Sequence, residues 1–145
     1  MGGPGAGKGT QCAKLLKKHK NIDSYSCGDL LRAHAKKDEK IAKRLSQGKL
    51  IHSDTTTGLM KEYMGNRCDT KIFLADGFPR NLENVESWNK NLAKHVSTEF
   101  LMLFDLDDKS MMSRLRSRAA KTPVEKRRSD DNEETYLKRI NTFHK

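Results

Sequence analysis

Long apolar runs, paired cysteines and aromatic residues are all scarce in this 145-residue chain. The hydrophobic fraction is 34% and the mean hydropathy −0.85, and no apolar stretch approaches the roughly 20 residues that a membrane helix needs. The first residues are glycines, not a charged stretch leading into an apolar one. A soluble protein that meets no membrane is expected, cytoplasmic and with a nuclear share admitted. Three cysteines, Cys12, Cys27 and Cys68, lack C-x-x-C spacing and leave one thiol over, which supports neither a disulfide framework nor a zinc site. No repeat, low-complexity tract or Pro/Ser-rich linker divides the chain. The length suits one domain able to bury roughly 70% of its unfolded surface.

What the chain has in excess is positive charge. Twenty-nine Lys and Arg against 19 Asp and Glu give +10, a balance that asks for a polyanionic partner. Between Arg114 and Arg128 stand seven basic residues and one acid, Glu125. Such a run is either a solvated face or a surface for something negative. Nucleic acid is disfavoured, because aromatics make up 6% and none interleaves with a basic stretch as base stacking requires.

Pattern along the chain alternates helix and strand. Residues 8–20 predict a helix with Cys12, Leu15 and Leu16 on one side, and 22–26 a marginal strand. Two short helices are predicted over 29–36 and 39–47, separated near Asp38 and stopped by Gly48. Another follows over 55–64, with Asp54 as its N-cap. KIFLADG (71–77) reads as a buried parallel strand, and Asn81 caps a helix reaching about Lys94. EFLMLFDL (99–106) reads as a second buried strand, followed by a helix over 109–118. Ala119, Ala120 and Pro123 predict a mobile connection. The last helix is predicted to start near Asp130, with Glu133 in capping-box spacing and Tyr136, Ile140 and Phe143 on one face. The expected fold is α/β with a parallel sheet.

The chemistry starts in GGPGAGKGT. Gly2 to Lys8 satisfies G-x-x-x-x-G-K, and the hydroxyl arrives one place late, as Thr10 after Gly9. Glycines let backbone N–H groups turn inward and approach phosphate oxygens. Lys8 brings a cation to the β- and γ-phosphates, and the helix beneath adds its N-terminal partial charge. Thr10 suits a water of a magnesium shell. Asp76, ending the 71–77 run, falls at the carboxyl edge of the sheet, where α/β ligand sites form.

The G-K-G-T form of this loop, with SCGDLLR (26–32), DGFPRN (76–81) and RRSDDNEETYLKRI (127–140) following in order, resembles the adenylate kinase and UMP/CMP kinase family of nucleoside monophosphate kinases. The resemblance covers nearly the whole chain. It implies a P-loop parallel sheet with flanking helices, a monophosphate-binding helical insertion over 26–64 and a short lid over 119–128. It further implies Mg2+-dependent transfer of a phosphoryl group from ATP to a nucleoside monophosphate, by a chain expected to be monomeric. ATP would be held by Gly3, Gly5, Ala6, Gly7, Lys8, Gly9 and Thr10, with Arg114 near the adenine and Arg118 at the phosphates. The monophosphate would meet Ser26, Gly28, Arg32, the 49–51 backbone (Lys49, Leu50, Ile51), Gly77, Arg80 and Asn84. Arg128, with Arg127 as the neighbouring alternative, and Arg139 would close over the transferring group. Magnesium would be met through water by Thr10 and Asp76. The expected catalytic set is Lys8, Arg80, Arg118, Arg128 and Arg139.

Base preference is read at Asn84, where F-P-R-N-x-x-N and the following ESWNK resemble the UMP/CMP branch; adenylate kinases carry glutamine there. Cys27 fits neither branch and is nearer in size to the alanine of the pyrimidine enzymes. AMP as acceptor is the alternative reading, and an inactive fragment a third. The resemblance also implies a strand ahead of the glycine loop, and a strand and helix beyond residue 145. The expectation is therefore a partial sequence lacking ladder partners at the centre of its sheet.

Overall fold

The computed structural model describes residues 1–67, 69, 72–128 and 131–144. Helix α1 (Lys8–Lys18) leaves the glycine loop, followed by β1 (Ile22–Ser26), α2 (Cys27–Ala35), α3 (Glu39–Ser46) and α4 (Ser53–Gly65). Strand β2 (Ile72–Asp76), α5 (Leu82–Asn91), α6 (Asp108–Lys121), a single 3-10 turn (Val124–Lys126) and α7 (Glu133–Phe143) complete the chain.

Strands β1 and β2 pair in parallel, from Ile22 opposite Ile72 to Ser26 opposite Asp76. The marginal strand over 22–26 is thus a full sheet member. Strand β2 differs from expectation in exposure: none of its residues is fully buried, and Ile72 and Ala75 are exposed. The 99–106 run differs more. Its ladder contact is one parallel bridge, Gly2 to Phe104, with the Phe104 N–H donating to the Met1 carbonyl at 2.9 Å. An apolar run becomes a strand only where neighbours satisfy its backbone groups, and among the described residues this run is bridged by Gly2 and bonded by Met1. Phe100 is 69% exposed and Leu101, Met102 and Leu103 are exposed with it.

Helix starts follow side-chain chemistry. Asp38 caps α3, Asn81 caps α5, and Asp107 caps α6 by accepting the Ser110 N–H. Two predicted starts shift. His52, not Asp54, caps α4, which leaves the Asp54 carboxylate to bond α5. Asn132 caps α7 by accepting the Thr135 N–H, so the helix begins at Glu133 without the capping box; Asp130 lies outside the described residues. In place of a mobile connection, α6 runs on to Lys121 and the 3-10 turn follows.

The core lies in separate groups. Tyr25, Cys27, Met60, Met64, Phe78 and Leu92 form one, and Leu31, Ile41 and Ile51 a second. Met111 and Leu115 of α6, with Tyr136 and Ile140 of α7, are buried beside the glycine loop. That packing explains two glycines: a Cβ on Gly3 would fall 2.2 Å from the Met111 sulfur, and one on Gly5 2.8 Å from the Met111 carbonyl. Helix α1 buries no residue, and Leu15 and Leu16 stay partly exposed.

Candidate functional site

One cleft of about 990 Å³ runs between the glycine loop, the start of α2, the end of β2, and the facing sides of α6 and α7. Gly3, Gly5, Ala6, Gly7, Lys8, Gly9 and Thr10 all line it, as do Ser26, Gly28, Arg32, Leu50, Asp76, Gly77, Arg80, Arg114, Arg118, Arg128 and Arg139. Lys49, Ile51 and Asn84 do not. Lys49 is exposed, Ile51 belongs to the second core group, and Asn84 is buried between α4 and α5.

The loop wraps its own lysine. Lys8 Nζ donates to the carbonyls of Gly2 and Gly3, each at 2.8 Å. Burial lowers the Lys8 ammonium from its ordinary value; Asp76 opposes this, and the charges of Arg80 and Arg139 push it further down. An ammonium among cations in a half-buried place favours an anion arriving beside it. Gly7, left-handed at φ 97°, sets the turn into α1, whose first residues, Lys8 to Thr10, line the cleft.

Asp76 stands across from this turn, its Oδ2 3.7 Å from where a Cβ on Gly9 would lie. Its other oxygen, Oδ1, is buried with no hydrogen-bond partner. An unpaired buried carboxylate oxygen is costly, and with the Thr10 hydroxyl in the same cleft this pair fits a hydrated divalent cation. No direct protein cage for a metal, of three or more His, Cys, Asp or Glu, exists among the described residues.

Cations enter from four elements. Arg32 comes from α2, its Nη2 2.5 Å from Asp29 Oδ1. Arg80 follows the cis Phe78–Pro79 bond and donates from Nε to the Gly77 carbonyl at 2.9 Å. Arg114 approaches the Ala6 carbonyl, and one turn later Arg118 pairs with Asp131. Arg128 lines the cleft and reaches Asp29 at 3.7 Å, whereas Arg127 turns away to the Thr122 carbonyl. Lys121 adds an eighth cation against two acids, Asp29 and Asp76, so the cleft is built for a ligand of several negative charges.

Two acids escaped the sequence reading. Asp29 meets Arg32 and, across the cleft, Arg128. Burial opposes its charge, but the Arg32 bond and the charges of Arg32 and Arg128 hold the carboxyl below its ordinary value. Asp131, its side chain 2% exposed, pairs with Arg118 and accepts from the Arg128 N–H at 3.2 Å and the Tyr136 hydroxyl at 3.3 Å. Their signal was present as acids within a few residues of the candidate arginines, one in GDLLR and a pair in RRSDD. Cys27 is buried in the core and not in the cleft; burial pushes its thiol up to about 12.

Among the described residues no helix is long and apolar enough to cross a membrane. The adenylate kinase family model matches residues 1–145. UMP-CMP kinases of Gallus gallus and Homo sapiens are each 36% identical to the chain over 152 residues, covering 99% of it and 75% of their own length. The UMP-CMP kinase of Xenopus laevis is 36% identical, with 76% of its length covered.

Proposed function

The chain belongs to the adenylate kinase family, and from that premise we propose that it transfers the γ-phosphoryl group of ATP to a pyrimidine nucleoside monophosphate, UMP or CMP. The observation that carries this reading is a cleft lined together by the glycine loop with Lys8 and by Arg32, Arg80, Arg118, Arg128 and Arg139. Its relatives named UMP-CMP kinase support the pyrimidine branch.

Phosphoryl transfer needs positioning and charge stabilisation more than covalent chemistry. In this reading the loop amides and Lys8 hold the β- and γ-phosphates, with Arg114 and Arg118 on the ATP side. Arg32 and Arg80 grip the acceptor's phosphate, whose oxygens match the guanidinium fork. Ser26, Gly28, Leu50 and Gly77 line the same cleft and are read as contacts of the acceptor. Arg128 and Arg139 face the phosphoryl group in flight, where fixed cations act most strongly once water is excluded. Magnesium, held through water by Thr10 and Asp76, would supply charge neutralisation of the triphosphate. An oxygen of the acceptor's own phosphate attacks the γ-phosphorus in line, the bond from that phosphorus to the bridging β-phosphate oxygen breaks so that ADP leaves, and no enzyme-bound phosphoryl intermediate forms.

Residues 26–64 are the acceptor-binding part and 119–128 the lid, in a protein working as a monomer. Their approach at Asp29 and Arg128 supports a closed arrangement of the two, which excludes water from the transferred group. The test is a coupled assay with ATP-Mg against CMP, UMP, dCMP and AMP. CMP and UMP are expected to be the better acceptors. A preference for AMP overturns the branch, and no transfer to any of the four overturns the activity.

A further inference from the structure

Asn84, the residue whose type suggested a base reader, spends its amide elsewhere. The Arg80 backbone N–H donates to Asn84 Oδ1 at 2.9 Å, and Asn84 Nδ2 donates to Ser53 Oγ at 2.7 Å. The orientation is forced. A backbone N–H can only donate, so the amide oxygen must face Arg80 and the nitrogen must face Ser53. Ser53 is 2% exposed and Asn84 6%, so water does not readily replace either partner.

We infer that Ser53 is a positioning residue for Arg80, acting through the Asn84 amide; the inference rests on the reading of Arg80 as a ligand of the acceptor's phosphate. Ser53 opens α4 and Asn84 lies in the first turn of α5, so the hydroxyl ties the acceptor-binding helix to the loop that carries Arg80. The seam behind it is polar in the same manner. Ser87 Oγ donates to Asp54 Oδ1 at 2.6 Å and shares a 2.8 Å hydrogen bond with Thr57 Oγ1, while Asn91 Nδ2 reaches Asp54 at 3.1 Å. These bonds hold α5 to α4, and Ser53 is the member that passes the restraint on to the cleft. Without its hydroxyl, Asn84 Nδ2 is buried and unpaired. Rotation of the amide to relieve that withdraws Oδ1 from Arg80, whose guanidinium then loses its fixed origin.

The test combines steady-state kinetics with amide hydrogen exchange at the Arg80 N–H, followed by NMR. Ser53→Ala is expected to raise the acceptor KM about tenfold, to leave the ATP KM within about twofold, and to speed Arg80 exchange about tenfold, the scale of one buried hydrogen bond. Ser53→Thr keeps the hydroxyl and Ser53→Val matches its shape without it, so Thr should outperform Val on both readouts even if Ser53→Ala does not fold. In an Asn84→Ala background, Ser53→Ala should add nothing further. Wild-type acceptor KM and Arg80 exchange in Ser53→Ala overturn the proposal, as do equal rises in both KM values or equal behaviour of Thr and Val. A wild-type protein that phosphorylates no monophosphate defeats the kinase reading instead, and Arg80 exchange still decides the Ser53 link.

Discussion

Asp76 carries a cost, since one of its oxygens is buried without a hydrogen-bond partner. A residue kept at a cost to stability is doing something else. Asp76→Asn is therefore expected to leave the melting temperature unchanged or raised, while turnover falls and its dependence on magnesium weakens; a lowered melting temperature with normal turnover would reverse that assignment. Lys8 is different, because it bonds two carbonyls of its own loop. An arriving phosphate competes for its ammonium with those carbonyls, and removing a single such cation is worth about 10²- to 10³-fold in turnover. Lys8→Met should show that loss with a cooperative melt retained, measured by initial rates beside circular dichroism. Lys8 was legible from the spacing of its own loop, and Asp76 from its place at the end of a predicted strand. Asn84 was legible as important but not in its manner of action, since no pattern shows that Ser53, 31 positions earlier, would occupy its amide.

Helix ends were legible in part, because a cap is chosen by residues within one turn: Asn81 caps α5 as read, whereas the starts of α4 and α7 fall to His52 and Asn132. Asn81 accepts the Asn84 N–H at 2.9 Å and fixes the start of the helix that carries Asn84. Asn81→Ala should lower stability by about 1 kcal/mol, read from urea unfolding. Strands were less legible, because their partners are distant in sequence. The 22–26 segment is weakly apolar yet gains a ladder along all of β2, and the strongly apolar 99–106 run gains one bridge. Between α6 and α7 the joint is Asp131. Burial works against its charge, but the Arg118 pair and the Arg128 and Tyr136 hydrogen bonds outweigh that and hold the carboxyl below its ordinary value of 3.8. A carboxyl lowered on folding stabilises above its unfolded value, and that contribution disappears as pH falls through the folded one. Stability should therefore drop below about pH 3.8, and Asp131→Asn should remove part of that acid dependence while lowering stability at pH 7. A variant whose urea midpoint follows the wild-type curve from pH 7 to pH 3 would show that the joint is not electrostatic.

Over the whole molecule, the +10 net charge resolves into a cleft and a surface with different physics. Eight cations and two acids face the cleft, close enough to act together on a polyanion. The outward cations of α1 and α3, including Lys14, Lys17, Lys18, Lys40 and Lys43, are exposed, and such charges are screened beyond a Debye length of about 10 Å at 0.1 M salt. Sequence could count the charge but not partition it, because the partition depends on which helix faces turn inward. The partition makes a measurable difference between ligands. ATP, which places three phosphates among the cleft cations, should bind several-fold more weakly as sodium chloride rises from about 50 to 500 mM. Cytidine, which carries no phosphate, should show no such dependence. Titration calorimetry at four salt concentrations separates the two, with magnesium held constant. A salt-independent ATP affinity would mean that the cleft cations, of which Arg32, Arg118 and Arg128 already meet Asp29 or Asp131, do not act on the phosphates. The arginines would then serve to brace α2, α6 and α7 together, and not to receive phosphate.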